Sequence, residues 1–268
     1  MVKALQAKEI DIAIALTEGL VSAIAKGCSD FTIIGTYVDA PLTWAISAGS
    51  TSPHTSIDTL RGGTIGISRL GSGSHIMSYV LADQMGWLDT PAEAAPQPGA
   101  MTAAEDEEVF RFNVLKDFKG LRDGVNSQAA DAFMWEQFTT KPYHDTHEVR
   151  RIGHITTPWP AFLIAVRTEL LQEEAEMIKR LMVAITESCA LFMKERESGA
   201  SIDYVAKTYG QKEEDVRAWF TTVRYADNCA HVSRDVLQNC VSTLIKAHVL
   251  TEDVPPEKLA DIRVAALQ

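Results

Sequence analysis

The sequence predicts an α/β fold, and three observations carry that prediction. Short apolar runs such as Ile10–Ala15, Thr64–Ser68 and Ala130–Trp135 have the length and continuity of strands buried on both faces. Small or polar residues follow these runs and lead into segments with helical spacing, as at Thr17-Glu18-Gly19, Gly71-Ser-Gly-Ser74 and Glu136. Strand and helix signals then alternate over the first two-thirds of the 268 residues, the pattern of parallel sheets with helices on their faces.

Taken in order, residues 2–8 read as a helix and 10–15 as a buried parallel strand. Thr17 opens a helix that continues through Ala25 and breaks at Gly27. Phe31–Tyr37 and Leu42–Ser47 read as two strands, followed by a polar loop from Gly49 to Ser56. Ile57–Gly62 is one helical turn ending at a glycine. Thr64–Ser68 is a strand, and a turn and helix occupy Gly71–Gly86. Leu88–Glu108, rich in Pro, Ala and Glu, reads as a mobile surface excursion. Val109–Val114 alternates as a strand does, Phe118–Ser127 is a short helix, and Ala130–Trp135 is a strand with a helix starting at Glu136. Arg150–His154 and Ala161–Val166 read as strands on either side of a Thr157-Pro-Trp-Pro160 turn. Leu170 to about Arg196 carries one long amphipathic helix. Shorter helices follow near residues 202–209, 212–220 and 233–247, packed around one of the sheets.

Composition narrows the function classes. Hydrophobic residues make up 46% and charged residues 23%, enough apolar material for a substantial core and too much for a disordered chain. Lys and Arg number 25 against 36 Asp and Glu, a formal charge of −11, and no basic stripe is interleaved with aromatics, so nucleic acid is excluded as a partner. No run is apolar for long enough to span a membrane. Glu9 and Asp11 stand where a secretion signal needs an apolar segment, so the chain as written is expected in the cytoplasm, or outside it if an export segment has been removed. Cys28, Cys189, Cys229 and Cys240 form no C-x-x-C pair and read as buried or incidental thiols, with a Cys229–Cys240 disulfide as the open alternative. His144 and His147 beside Asp145 lack a fixed third ligand and read as a surface turn, so neither metal nor cofactor is expected.

The turn after the Thr64–Ser68 strand says most about function. A helix beginning near Ser72 or Ser74 leaves its first amides unpaired, and its macrodipole favours a negative group in front of them. Gly71, Ser72, Gly73 and Ser74 therefore form a candidate cradle for an anion or polar ligand, or simply a tight turn with Ser74 as the N-cap. The turn lacks the Lys of a nucleotide P-loop and the full dinucleotide fingerprint, so neither ATP nor NAD follows. Arg69 suits a carboxylate or sulfonate, or is solvated. His75 contacts the ligand or bonds to backbone.

Other strand ends supply further candidates, because ligands on open α/β sheets sit outside the carboxyl ends of the strands. Thr17 offers a hydroxyl to a ligand or caps its helix, Glu18 sits in the first turn, and Gly19 allows close backbone approach. Trp135 stacks on a ligand or belongs to the core. Glu136 receives an amine, pairs with Arg69 or starts a helix. Trp44 and Trp159 are candidate aromatic walls, and Asp39 takes a positive ligand group or begins an Asp-Ala-Pro turn.

The connected segments Leu5–Ile14, Thr17–Gly19, Ser56–Ile67, Gly71–Ser74 and Asp131–Glu136 resemble the two-lobed, type II periplasmic-binding-protein fold. The resemblance is to substrate-binding proteins for sulfonates, nitrate and taurine, with their cytoplasmic fungal and thiamine-pyrimidine-synthesis relatives. It implies a discontinuous first lobe of residues 1–45 and 155–268 and an inserted second lobe of residues 46–154. Crossovers would fall at Leu42–Ser47 and between Ile152 and Ala165, with a small-molecule ligand in the interlobe cleft. Such proteins usually begin with a strand, a helix and a strand ahead of the segment matching Val2–Ala15, so the expected first lobe is N-terminally truncated. Its uncovered sheet edge suits a homodimer. The resemblance favours a non-enzymatic binding protein. The alternatives are an intracellular enzyme using Glu18, His75 or Glu136 as acid or base, and a regulatory or structural dimer with a vestigial cleft.

Overall fold

The computed structural model describes residues 1–88 and 109–267, so the excursion expected over Leu88–Glu108 lies outside the described residues beyond its first position. The chain divides into two compact units, Met1–Thr43 with Thr156–Gln268 (unit 1) and Trp44–Ile155 (unit 2).

Unit 1 opens with helix α1 (Val2–Gln6), strand β1 (Ile12–Leu16) and helix α2 (Thr17–Ala25). Strand β2 (Phe31–Gly49) begins in unit 1 and ends in unit 2. A 3-10 turn (Ile57–Leu60) then leads to β3 (Thr64–Ile67) and α3 (Gly73–Gln84). Beyond the undescribed residues come β4 (Arg111–Val114), α4 (Phe118–Asn126), β5 (Ala132–Glu136) and α5 (Gln137–Asp145). Strand β6 (Val149–Arg167) returns the chain to unit 1. There α6 (Thr168–Glu173), α7 (Ala175–Lys194), α8 (Ala200–Tyr209) and α9 (Glu213–Trp219) precede β7 (His231–Val232), α10 (Arg234–Lys246), α11 (Pro256–Leu259) and β8 (Ala266–Leu267).

In unit 2, β5 lies between β2 and β3, with β4 beyond β3. The β3–β4 and β3–β5 pairs are parallel, whereas β2 runs antiparallel to β5, with Trp44 opposite Glu136 and Ala48 opposite Ala132. Leu121, Val125, Ala130, Phe133 and Val149 form a core under α4, joined by Phe118, Trp135 and Tyr143. In unit 1, Ile34, Ile164, Val166, Leu171, Ile178 and Met182 pack β2 and β6 against α6 and α7. A Cβ on Gly35 would collide with the Cys229 carbonyl, so glycine is what lets the Cys229 segment lie against β2.

Four sequence expectations need correction. First, β1 is antiparallel to β6, from Ile12 opposite Val166 to Leu16 opposite Phe162, not part of a parallel ladder. An apolar run reports burial, not direction. Second, the two strands expected within residues 31–47 are one, and so are the two expected within 150–166. Pro41 and Pro158 are exposed within these strands, and Leu42 N–H donates to the Thr157 hydroxyl (2.9 Å), not to a backbone carbonyl. Proline is tolerated where the ladder asks for no N–H. Third, the long helix is broken at Glu174 (φ −130°, ψ 35°) into α6 and α7. Fourth, Ser72, not Ser74, is the N-cap of α3. All four cysteines are free thiols, so the Cys229–Cys240 alternative falls away. No helix among the described residues is long and apolar enough to cross a membrane.

Candidate functional site

In unit 2 the carboxyl ends of β3 and β5 point the same way, toward the end where β2 enters at Trp44. The pairs Ile65–Ala132, Gly66–Phe133 and Trp44–Glu136 place the turn that follows β3 at the same end of the unit as Glu136 and Trp44. This end collects most of the sequence candidates.

The α3 turn is built from its own small side chains. Gly71 is exposed and left-handed (φ 72°), a conformation that costs a side-chain-bearing residue about 1 kcal/mol. Its N–H donates to His75 Nδ1 (3.2 Å), which fixes the imidazole, and His75 packs edge-on against Tyr79 and Phe112. The backbone-bonded reading of His75 is the one observed. Ser72 is buried, accepts from His75 N–H (3.4 Å) and lies 3.0 Å from the buried Ser74 hydroxyl. The hydroxyls expected to meet a ligand thus bond to each other and to the helix. The Gly73 and Ser74 amides, at the first two helical positions, have no acceptor among the described residues. Arg69 is exposed and has no carboxylate partner among them.

Two neighbours are spent on structure. Glu136 caps α5, its carboxylate accepting from Phe138 N–H (2.9 Å), Thr139 N–H (2.7 Å) and the Thr139 hydroxyl (2.8 Å), and it does not pair with Arg69. Trp135 stacks on Phe118 at 5.1 Å as part of the α4 core. Trp44 differs from both. Its ring is 5% exposed, yet its Nε1–H has no acceptor among the described residues, an unusual state for a buried donor.

Unit 1 places Thr17, Glu18 and Gly19 at the carboxyl end of β1, where α2 begins. Thr17 and Glu18 are both fully buried. Leu16 occupies the N-cap position, and the Thr17 hydroxyl donates to the Pro160 carbonyl (2.5 Å), so Thr17 ties α2 to β6 and neither caps nor offers a free donor. Glu18 Oε2 accepts from Trp159 Nε1–H (3.0 Å), while Oε1 is buried without a partner among the described residues. Burial is the largest influence on this carboxyl and pushes its pKa up to about 7, opposed by backbone hydrogen bonding and the Trp159 N–H. Trp159 is therefore a buried donor within β6, not a wall between two prolines. A Cβ on Gly19 would meet nothing, so glycine relieves no crowding by the chain there. Asp39 lies within β2, not in a turn, and pairs with Arg224 at 3.0 Å.

The sequence offered no signal for the orphaned Trp44 donor, because that state depends on what surrounds the ring. It also missed a basic pocket lined by Ser50, His144, His147, Val149, Arg150 and Arg151, assembled from segments about a hundred residues apart.

A family model for a Ca3427-like PBP matches residues 44–155, which is the whole of unit 2. The conserved CA3427 gene product of Candida albicans, which defines a family with the generic periplasmic-binding-protein fold, is 32% identical, covers 100% of this chain and is itself covered over 83% of its length, with a TM-score of 0.84. The alkanesulfonate-binding protein SsuA of Xanthomonas axonopodis pv. citri, solved with MOPS, shares the fold at 16% identity and a TM-score of 0.69 over 99% of this chain and 83% of its own. The periplasmic aliphatic sulphonate-binding SsuA of Escherichia coli does so at 16% identity and a TM-score of 0.65, over 97% and 78% respectively. No curated protein matches the chain. The chain belongs to the Ca3427-like family and has its type II periplasmic-binding-protein-like, two-lobed α/β fold.

Proposed function

We propose that this protein binds a small polar or anionic organic molecule without turning it over, and that the α3 turn of unit 2 supplies the principal contacts. The observation that carries this reading is the pair of amides at Gly73 and Ser74, which head a 12-residue helix and, like the nearby Arg69 side chain, have no partner among the described residues. Helix-terminal N–H groups with a nearby guanidinium suit an oxyanion. The buried Trp44 donor at the same end of the unit would be satisfied by a ligand oxygen. Relatives sharing the fold bind sulfonates, so sulfonate is the first class to try, ahead of carboxylate and pyrimidine-like ligands.

Mass spectrometry of small molecules that copurify with the native protein tests the reading. Recovery of one anionic compound unchanged supports it, and its conversion to a new product on incubation contradicts it. The catalytic alternative has Glu18 in its favour, since a carboxyl titrating near 7 suits acid–base work. Its complete burial behind Trp159 argues for a structural carboxyl. The proposal keeps β1, which has β6 as its one strand neighbour among the described residues, as the surface for a second copy, and native mass measurement reads that dimer directly.

A further inference from the structure

The basic pocket of unit 2 lies at the opposite end of the unit from the α3 turn. Its volume is about 360 Å³, within the range of small-ligand sites, and it is lined by Ser50, His144, His147, Val149, Arg150 and Arg151. Ser50 follows the last residue of β2, and Arg150 and Arg151 open β6. Arg150 is six residues from the Thr156 crossover, roughly 20 Å along an extended strand.

The two arginines are held differently. Arg150 donates through Nη2 to the Ser50 carbonyl (2.7 Å) and through Nη1 to the Ser52 carbonyl (3.1 Å). These bonds fix the plane of the guanidinium against the turn after β2 and leave three of its five N–H groups for other acceptors. Arg151 is exposed, and its Nε donates weakly to the Gly153 carbonyl (3.4 Å), leaving both of its Nη groups uncommitted. Neither arginine has a carboxylate partner among the described residues. The acidic side chains next in sequence are engaged elsewhere, Asp145 with Lys141 (2.9 Å) and Glu148 with Arg122 (2.7 Å).

The rest of the lining leaves this charge uncancelled. Helix α5 ends here, and its dipole contributes roughly half a negative charge, well short of two guanidinium charges. His144 is bonded to the Ser47 hydroxyl through Nε2 (3.0 Å). Burial first, and then the charge of Arg151, hold it neutral at physiological pH. His147 is exposed in a left-handed conformation (φ 58°) just beyond the helix. The pocket thus offers two fixed positive charges and two imidazoles in a chain whose formal charge is −11.

We propose that this pocket is a second ligand site, which takes a small organic phosphate drawn by the charges of the two arginines that line it, with the uncommitted Arg151 guanidinium as its principal contact. Two guanidinium groups match a dianion in charge, and a forked guanidinium suits the geometry of a phosphate. The remaining volume beside Val149 and the imidazoles accommodates the organic part of the ligand.

Calorimetric titration of the intact chain at low ionic strength tests this, with phenyl phosphate and inorganic phosphate as probes. The variants are Arg151→Gln, which alters an exposed side chain, and Arg180→Gln, which removes the same charge from an exposed position on α7. Phenyl phosphate should bind the native protein and Arg180→Gln equally, and Arg151→Gln about tenfold more weakly. Inorganic phosphate should bind the native protein about tenfold more weakly than phenyl phosphate does. Absence of phenyl phosphate binding, equal binding by Arg151→Gln, or equal weakening in both variants overturns the proposal. Equal affinity for the two probes overturns its organic part, because the pocket would then serve the free ion.

Discussion

The turns that open α2 and α3 look alike in sequence, and the structure uses them in opposite ways. Each follows a short apolar strand and places small or polar residues at a helix start. In unit 1, Thr17 and Glu18 are swallowed by the core, one tied to the Pro160 carbonyl and the other to the Trp159 ring. In unit 2 the hydroxyls of Ser72 and Ser74 bond to each other within the turn, Gly71 is exposed, and the Gly73 and Ser74 amides have no acceptor among the described residues. The first turn fastens, and the second is the one we propose to present. Residue type cannot distinguish them, because the difference comes from what lies across: β6 brings Trp159 and Pro160 over α2, while Ser72 and Ser74 of the α3 turn bond to each other.

The comparison can be broken first at Glu18, where the largest effect is expected. A carboxyl displaced from 4.5 to about 7 disfavours its ionised form by ~3 kcal/mol. The folded state keeps the proton to higher pH than the unfolded state does, so this contribution is fully present below about pH 4.5 and is lost as pH rises through 7. Denaturant titrations from pH 5 to 8 should therefore show stability falling with pH in the native protein and a much flatter profile in Glu18→Gln. His144 works in the opposite sense, its contribution present above 6.5 and lost as pH falls toward about 4, so a double variant with His144→Gln separates the two.

Next in size is Thr17→Val, which leaves the Pro160 carbonyl without its donor and should cost about 1–3 kcal/mol in unfolding free energy, with no change in ligand affinity. Ser72→Ala removes the α3 cap and should cost about 1 kcal/mol by the same measurement. It should also weaken ligand binding, since the turn it supports is the presenting one. The smallest effect on stability belongs to Arg69→Gln, within about 0.5 kcal/mol because the side chain is exposed and has no partner among the described residues. Its effect should appear in binding, about tenfold weaker for an anionic probe. A large loss of stability in Arg69→Gln, or of affinity in Thr17→Val, would reverse the assignment of the two turns.

Legibility in the sequence followed locality. The starts of α2, α3 and α5 were readable because an apolar run gives way to small or polar residues within a few positions. The continuity of β2 and β6 was not, since Pro41, Pro158 and Pro160 read as breakers until Thr157 is seen accepting the Leu42 N–H from a strand 115 residues away. The break at Glu174 carries no glycine or proline to announce it. At the site, Gly71 and His75 behaved as local chemistry suggested, whereas the ties of Thr17, Glu18 and Asp39 to Pro160, Trp159 and Arg224 are long-range and left no mark on their own segments.

If α3 offers its first amides to a ligand, Gly73→Pro removes one of them. Proline is favoured at the first helical position, and Ser72 already has the extended conformation (φ −75°, ψ 163°) that a following proline demands. The substitution should therefore delete one presented N–H and spare the helix. Calorimetric titration with MOPS should give binding by the native protein and about tenfold weaker binding by Gly73→Pro, with unfolding temperatures nearly unchanged. Equal affinity in the two proteins, or no binding by either, would rule out the α3 amides as the ligand's contacts.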